Sequence, residues 1–333
     1  MRKGFVLFLL PFFFFLSCQK QEKSLYTIGF FQVIEGPTVA EARKGLLQAL
    51  EDCGLKESEN IHIEIRDGSG DISRVQKIAQ EFVEKKVDMI IAHSTQCLQA
   101  ALIATQRIPI IFTAVANPYL AGAGKSAQDH LSNVTGVAST GPIKESLVFI
   151  KKVLPQIKRL GTLWTPSELN SEYYLELAKE GAFEMGLEIV AVPVANSNEV
   201  LLSAQILINK KIDAIYPISD NTINASFEAL GRVAEENAIP LFGGFLLSTK
   251  FGACAAMGWD FYEIGYRAGQ MAARVKNGEK PVQIPFQLLS DIKLHLNLQA
   301  AEKQGVNFSA EILEKADEII GLKEKEESHF QWE

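Results

Sequence analysis

The chain has 333 residues and a formal net charge of −7, with 47% hydrophobic and 22% charged residues, a balance that fits a globular protein large enough for two domains. No basic block lies outside the extreme N-terminus, so the clustered Lys and Arg that nucleic-acid phosphates require are missing and no nucleic-acid partner is expected. After residue 20, no segment offers the ~20 uncharged apolar residues needed to cross a bilayer.

At the start of the chain, Arg2 and Lys3 form a positive tip, Phe5 to Leu16 is a continuous apolar run, and Leu16-Ser17-Cys18 closes it. A charged tip, an apolar stretch of ~7–15 residues and a small-residue cleavage site describe a secretory signal, here 1–17. Cys18, directly after Leu-Ser, resembles the bacterial lipobox, whose cysteine becomes the lipidated first residue of the mature protein. Residues 18–25 would then be a lipidated polar tether. The other reading is a buried N-terminal element with an incidental cysteine, and a Phe-rich run followed by "QKQEKS" suits that poorly. Cys53, Cys97 and Cys254 are odd in number and lack metal-ligand spacing, so all three are expected to be small buried hydrophobes rather than a disulfide framework or a zinc site.

From Tyr26 onward, short β-rich runs alternate with helical patterns. "YTIGFFQV" predicts a strand and Thr38 to Cys53 a helix, with Thr38 and Glu41 matching a capping box. "IHIEIR" is the next strand, followed by a helix over about Ser73 to Glu84. Then come the strand "VDMIIAH", the helix "TQCLQAALIATQ" and the strand "IPIIFTAV". The second half repeats the scheme with "RLGTLWT", a helix over Asn170 to Met185, "LEIVAVPV" and a helix around Glu199 to Asn209. The repetition is sharpest where "KKVDMIIAHST", a helix and "IPIIF" are matched by "KKIDAIYPISDNT", a helix and "IPLFG".

This pattern predicts an α/β protein of two doubly wound parallel-sheet lobes. The helix from Tyr262 to Lys276 and "IPFQLLSDIKLHLN" read as excursions between lobes, giving a three-stranded hinge with crossings near Ala138–Gly141, Ser248–Gly252 and Pro281–Pro285. The expected division is 26–138 plus 252–281 for the first lobe, 139–251 plus 282–322 for the second, and 323–333 as a polar tail.

Ligands of open parallel sheets bind beyond the carboxyl ends of the strands. In the first lobe the loops there are "QVIEGPT", "HSTQC" and "TAVANPY", and in the second "TPSELNSE", "ISDNT" and "GGFL". They carry Glu35, Glu168, Glu172 and Asp220 and no Lys or Arg, which disfavours a polyanion. Asp220, Glu168 or Glu35 would match an ammonium group, while a lone carboxylate could be held at a helix N-terminus opened by Ser94 and Thr95 or by Asn170 and Ser171. A zwitterion or a neutral polar molecule therefore fits best. Ser94, Thr95, Ser171 and Asp220 could equally be helix caps, and Asn117-Pro118 an ordinary turn. Phe245, Tyr119 and Trp164 read as core or rim, with stacking on an aromatic ligand as the alternative use of such rings.

The segments "EGPTVAEARKG", "GDISRVQKIAQ", "IPIIFTAVANP", "NVTGVAS", "PSELNSE", "SDNT" and "GWDFYEIG", in this order, resemble the bacterial ABC-transporter substrate-binding lipoproteins of the type I periplasmic-binding fold, in the branch with tryptophan- or tyrosine-binding members. The resemblance spans Tyr26 to Gly321. It implies a cleft that closes over one small solute, an aromatic or other apolar amino acid. It also implies a permease partner driven by a cytoplasmic ATPase, a lipid-anchored place on the extracytoplasmic side of the membrane, and a monomer without cofactors. Candidate ligand contacts are Glu35, Pro37, Ser94, Thr95, Asn117, Glu168, Asn170, Ser171, Asp220, Asn221 and Gly243. Gly36-Pro37 and Ala40 stand where relatives often have His-Pro and Asp, and Asn117 where they often have Asp, which bears on ligand identity more than on fold. A nucleoside or sugar receptor is the alternative within the class.

Two other classes fit less well. An enzyme would draw on His93 beside Ser94, but the five histidines offer no metal pair at i, i+4 spacing, and neither a Gly-x-Ser-x-Gly elbow nor a phosphate loop appears. A sensor would need a helix-turn-helix region before Tyr26 or a transmembrane helix after it, and the sequence shows neither.

Overall fold

A computed structural model describes residues 25–321. The signal segment, Cys18, most of the tether and the 323–333 tail lie outside the described residues. The first elements are β1 (Tyr26–Gln32), α1 (Pro37–Asp52), β2 (Ile61–Asp67), α2 (Ile72–Glu84), β3 (Met89–His93), α3 (Thr95–Ala104), β4 (Ile110–Val115) and β5 (Val134–Ala138). There follow α4 (Ile143–Val153), β6 (Arg159–Trp164), α5 (Leu169–Glu184), β7 (Glu188–Pro193), α6 (Val200–Asn209), β8 (Ala214–Ile215), α7 (Asn221–Asn224), α8 (Phe227–Glu236), β9 (Phe242–Gly243) and β10 (Ala255–Gly258). The chain closes with α9 (Phe261–Lys276), β11 (Gln287–Leu288), β12 (Lys293–Asn297), α10 (Leu298–Lys303), α11 (Ala310–Glu314) and β13 (Glu318–Ile320).

One six-stranded sheet runs β2-β1-β3-β4-β5-β11, with every pair parallel. Its strands are apolar on both faces, as a sheet covered on both sides demands. Phe31 and Val33 pack towards α2 and α3 with Val75, Phe82 and Leu98, while Ile28 and Phe30 pack towards α1 and α9 with Leu46 and Ile264. In the second lobe, β7-β6-β8 joins β9-β10-β12-β13 through a parallel bridge between Ile215 and Leu241. Counting strands within each half, both sheets follow the order second-first-third-fourth-fifth.

The sequence repeat has a physical counterpart. Asp88, ahead of β3, accepts from the Thr27 amide at 2.7 Å, and Asp213, ahead of β8, accepts from the Lys158 and Arg159 amides at 2.8 Å. Each therefore secures the start of the first strand of its lobe. Lys86 and Lys211 both sit in the left-handed region, at φ 55° and 54°. Pro109 and Pro240 each accept from the neighbouring third strand, from Ile90 at 2.9 Å and Ile215 at 2.8 Å.

Some expectations change. The first crossing lies between β5 and α4, whose Leu147 and Ile150 pack in the core of the second lobe. The second lies at 258–261, because β10 pairs with β9 and β12 in the second sheet. The third lies at 288–293, because β11 pairs with β5 and Phe286 fills the core beneath α3. Residues 252–258 thus belong with the second lobe and 282–288 with the first. The capping box at Thr38 does not form: Pro37, with its preset φ, opens α1 after Gly36, which places Thr38 inside the first turn. The strand β5 and the helix α4 were not expected from the pattern, and Cys53, expected to be buried, is exposed where it closes α1, whereas Cys97 and Cys254 are buried.

Helices α1 and α9 lie unusually close. A Cβ on Gly45 or Gly265 would collide with the main-chain carbonyls of Tyr262 and Ala42, and one on Gly269 would come within 2.6 Å of the Leu46 carbonyl.

Candidate functional site

Between the lobes lies a cavity reached by residues of both. The first lobe contributes Thr38 from α1, His93 and Ser94 from the β3–α3 junction, and Ala114 and Ala116 from the end of β4. The register of β4 slips between Phe112 and Val115, and Ala114 takes a left-handed φ of 56°, a bulge that redirects the strand end into the cavity. The crossings contribute Ser139, Gly141, Trp259 and Phe261. The second lobe contributes Asn170 and Tyr174 from α5, and Ser219, Asp220, Asn221 and Asn224 around α7. No Lys or Arg lines it.

The first-lobe wall is built on the start of α3. Its N-cap, Ser94, has φ 87° and makes no capping hydrogen bond. Beyond a weak approach to the Cys97 thiol, the Ser94 hydroxyl has no partner among the described residues, and the buried Thr95 hydroxyl has none either. The first-turn amides of a ten-residue helix therefore carry no side-chain cap, and its dipole favours negative charge there. His93 is fully buried. Desolvation, followed by the Arg43 charge and opposed by Glu35, lowers its pKa to about 4, so the ring is neutral at physiological pH and its Nδ1 has no partner.

On the opposite wall, polar groups are tied together. Asp220 is 2% exposed. It caps α7 by accepting from the Ile223 amide at 2.7 Å, and its other oxygen accepts from the Ser171 hydroxyl at 2.7 Å. Burial, then the Glu168 charge, holds the Asp220 carboxyl well above the usual carboxylate range; a cation beside it would favour the ionised form. Glu168, 1% exposed, accepts from the amide and side chain of Asn221 at 3.0 and 2.6 Å and from those of Thr222 at 3.0 and 2.7 Å. The walls meet through Gln96, which donates to Asn170 Oδ1 at 2.6 Å and accepts from Asn221 Nδ2 at 3.1 Å. At the back, the Trp259 indole donates to the Thr140 carbonyl at 2.8 Å, joining two crossings.

The profile of the family described as "ABC transporter substrate binding protein" matches residues 27–320. The chain belongs to the ABC-transporter substrate-binding protein family. It is 35% identical over 299 residues, 89% of this chain and 86% of the relative, to a protein named "Tyrosine-binding protein" from Clostridioides difficile (strain R20291). Among solved structures it resembles the ABC domain in complex with L-Trp from Streptococcus pneumonia (TM-score 0.84, 27% identity, 89% of this chain and 100% of that one). It also resembles the ligand-free, open structure of a substrate-binding protein with adhesive properties from Clostridium difficile (TM-score 0.65, 31% identity, 90% and 100%). A substrate-binding protein of this family takes a small-molecule ligand, works with an ABC permease and is extracytoplasmic. The family binds rather than catalyses, so the enzymatic reading of His93 falls away. Among the described residues no helix is long and apolar enough to cross a membrane.

The cavity of this substrate-binding protein gathers only part of the candidate set. Ser94, Asn170, Asp220 and Asn221 line it. Thr95 is buried beside Ser94, while Glu168 and Ser171 stand behind the wall as supports for Asn221 and Asp220. Four candidates lie elsewhere. Glu35 is exposed and held by Arg43 at 2.9 Å and Gln32 at 2.7 Å. Pro37 opens α1, and it is the next residue, Thr38, that reaches the cavity. Asn117 closes a turn by accepting from the Tyr119 and Leu120 amides at 3.0 and 3.1 Å. A Cβ on Gly243 would collide with the Ser248 hydroxyl inside the lobe, and its neighbour Gly244 lines the cavity instead. Sequence reasoning missed Gln96, Tyr174, Asn224, Trp259 and Phe261. Gln96 directly follows two residues singled out as candidates, and "GWD" reads from the sequence as part of an excursion between lobes, without a signal that Trp259 and Phe261 line the cavity.

Proposed function

We propose that this chain is the receptor of an ABC importer for an aromatic α-amino acid, which it encloses between its lobes and delivers to the permease. The observation that carries this reading is the chemistry of one cavity. A buried carboxyl, Asp220, faces an uncapped helix start with unpartnered hydroxyls, and no Lys or Arg is present. The ligand ammonium sits against Asp220 and Asn170, and its carboxylate against Ser94 and the first turn of α3. Tyr174, Trp259 and Phe261 supply the apolar wall for an aromatic side chain. The relatives, one named as tyrosine-binding and one solved with L-Trp, support the same class.

Closure follows from differential binding: a solute that touches both walls gains contacts in the closed form that the open form lacks. The Gln96 hydrogen bonds to Asn170 and Asn221, together with the higher TM-score against the L-Trp complex than against the open structure, support a closed arrangement of this chain. The receptor works as a monomer. Lipidation of Cys18 holds it at the outer face of the membrane, with several acyl chains because one alone anchors only marginally.

Thermal-shift and calorimetric titration with amino acids, nucleosides and sugars tests the assignment. An aromatic amino acid at ~100 times its dissociation constant should stabilise the protein by about 2.7 kcal/mol; stabilisation by nucleosides or sugars alone rejects the amino-acid reading. Cys18→Ser should move the protein from the membrane to the soluble fraction, and retention at the membrane rejects the anchor.

A further inference from the structure

Two polar atoms of the cavity are not engaged by the ligand's ammonium or carboxylate. One is Nδ1 of His93, buried and without a partner. His93 closes β3 on the face covered by α1 and α9, with the Phe30 ring 6.3 Å away, whereas Ser94 and Thr95 open α3 on the other face. The second is Oδ1 of Asn224, also buried and unpartnered. The Asn224 amide nitrogen donates to the Ser219 hydroxyl at 3.0 Å, which fixes the side chain and leaves its oxygen as the free acceptor. The two belong to opposite lobes and both residues line the cavity; next to Asn224, Ala225 backs onto Gly36 at the start of α1, where an added Cβ would find the Ala225 Cα at 3.4 Å. Thr38 of the same helix start also lines the cavity.

With the ring proton of the neutral imidazole on Nδ1, the tautomer this inference requires, His93 gives one hydrogen bond, and the amide oxygen takes one. The group that answers both is a hydroxyl. A phenol donates and accepts, an indole N–H only donates, and a phenyl ring does neither. We infer that His93 and Asn224 together read the phenolic hydroxyl of the ligand, which makes tyrosine the preferred guest over phenylalanine and tryptophan. This rests on the aromatic amino-acid reading above and adds to it the residues that select within the class. A site built to bond a hydroxyl discriminates strongly against the analogue that lacks it, because its own buried groups are then left unpaired.

Calorimetric titration of the purified protein with L-tyrosine, L-phenylalanine, L-tryptophan and O-methyl-L-tyrosine tests this. Tyrosine should bind at least about tenfold tighter than the other three, O-methyl-tyrosine being penalised because it can accept but not donate. His93→Leu and Asn224→Leu should each bring the tyrosine-to-phenylalanine affinity ratio towards one, and the double variant should add little to either. Equal binding of tyrosine and phenylalanine by the unaltered protein overturns the inference while leaving the aromatic amino-acid reading standing. So does a ratio that both variants preserve. Failure of all four compounds to bind overturns both readings. The O-methyl-tyrosine comparison needs no variant, so a folding defect in either substitution leaves the inference open to refutation.

Discussion

The two walls of the cavity use similar residue types in opposite ways. On the first-lobe wall, His93, Ser94 and Thr95 are buried with polar atoms that lack partners. On the second-lobe wall, Glu168, Asn170, Ser171, Asp220 and Asn221 are bound to one another and to the start of α7. A polar group already satisfied by its own lobe acts as scaffold, while one buried without a partner costs stability unless something else bonds it. Apart from the free Oδ1 of Asn224, the second wall is therefore pre-organised, and the first is the wall whose satisfaction depends most on a guest.

Substitutions can break or sharpen this contrast. Glu168→Ala should have the largest effect, because it strands the amides and side chains of Asn221 and Thr222; chemical denaturation should show a loss of about 3–5 kcal/mol. A loss under 1 kcal/mol would mean that the second wall does not depend on this carboxylate. Next comes Asp220→Asn, expected to weaken amino-acid binding by about 100-fold through loss of the charge-assisted contact. Its thermal stability without ligand should hold or rise, since burial and Glu168 already oppose the ionised form. The pH dependence follows the same sign. A carboxyl whose folded pKa is raised contributes stability below its unfolded pKa that is lost as pH rises through the folded one. In the unaltered protein, ligand-induced stabilisation should therefore grow with pH as Asp220 ionises, and in Asp220→Asn that growth should vanish.

Ser94→Ala should do the reverse of Glu168→Ala. Removing a hydroxyl without a partner leaves ligand-free stability within about 0.5 kcal/mol, while affinity falls about tenfold with the lost bond to the ligand carboxylate. A destabilised protein with unchanged affinity would reassign Ser94 to the scaffold. The smallest effect is expected of Gln96→Ala. Losing its bonds to Asn170 and Asn221 should weaken binding by about threefold, and small-angle scattering of the ligand-free protein should show a larger radius of gyration as the lobes part.

The fold was legible because its signals are periodic and occur twice. Apolar runs bounded by turn residues gave most of the strands, and the repeated Lys-Lys-x-Asp led to the third strand of each lobe, where Asp88 and Asp213 do the same work on the first strand. The crossings were harder. Ser248–Gly252 and Pro281–Pro285 look like linkers by composition, but strand pairing assigns the residues that follow them, and β10 and β11 are only four and two residues long. The site was legible in part for a chemical reason. Ser, Asn and Asp that cap helices are the same residue types that hold a zwitterion, and only geometry separates Asn117, spent on its own turn, from Asn170, which reaches the cavity. Asp220 does both jobs, so neither reading of it excluded the other.

The seam between α1 and α9 sets how movement passes through the molecule. Glycines at 45, 265 and 269 bring the two helices into main-chain contact with no room for a side chain between them, and α9 begins directly after the crossing that carries Trp259. Helices packed this closely are expected to move as one unit when that crossing bends. If the lobes close as proposed, such a bend should be carried to Thr38 at the head of α1, so that this side of the chamber moves like a door leaf on its post.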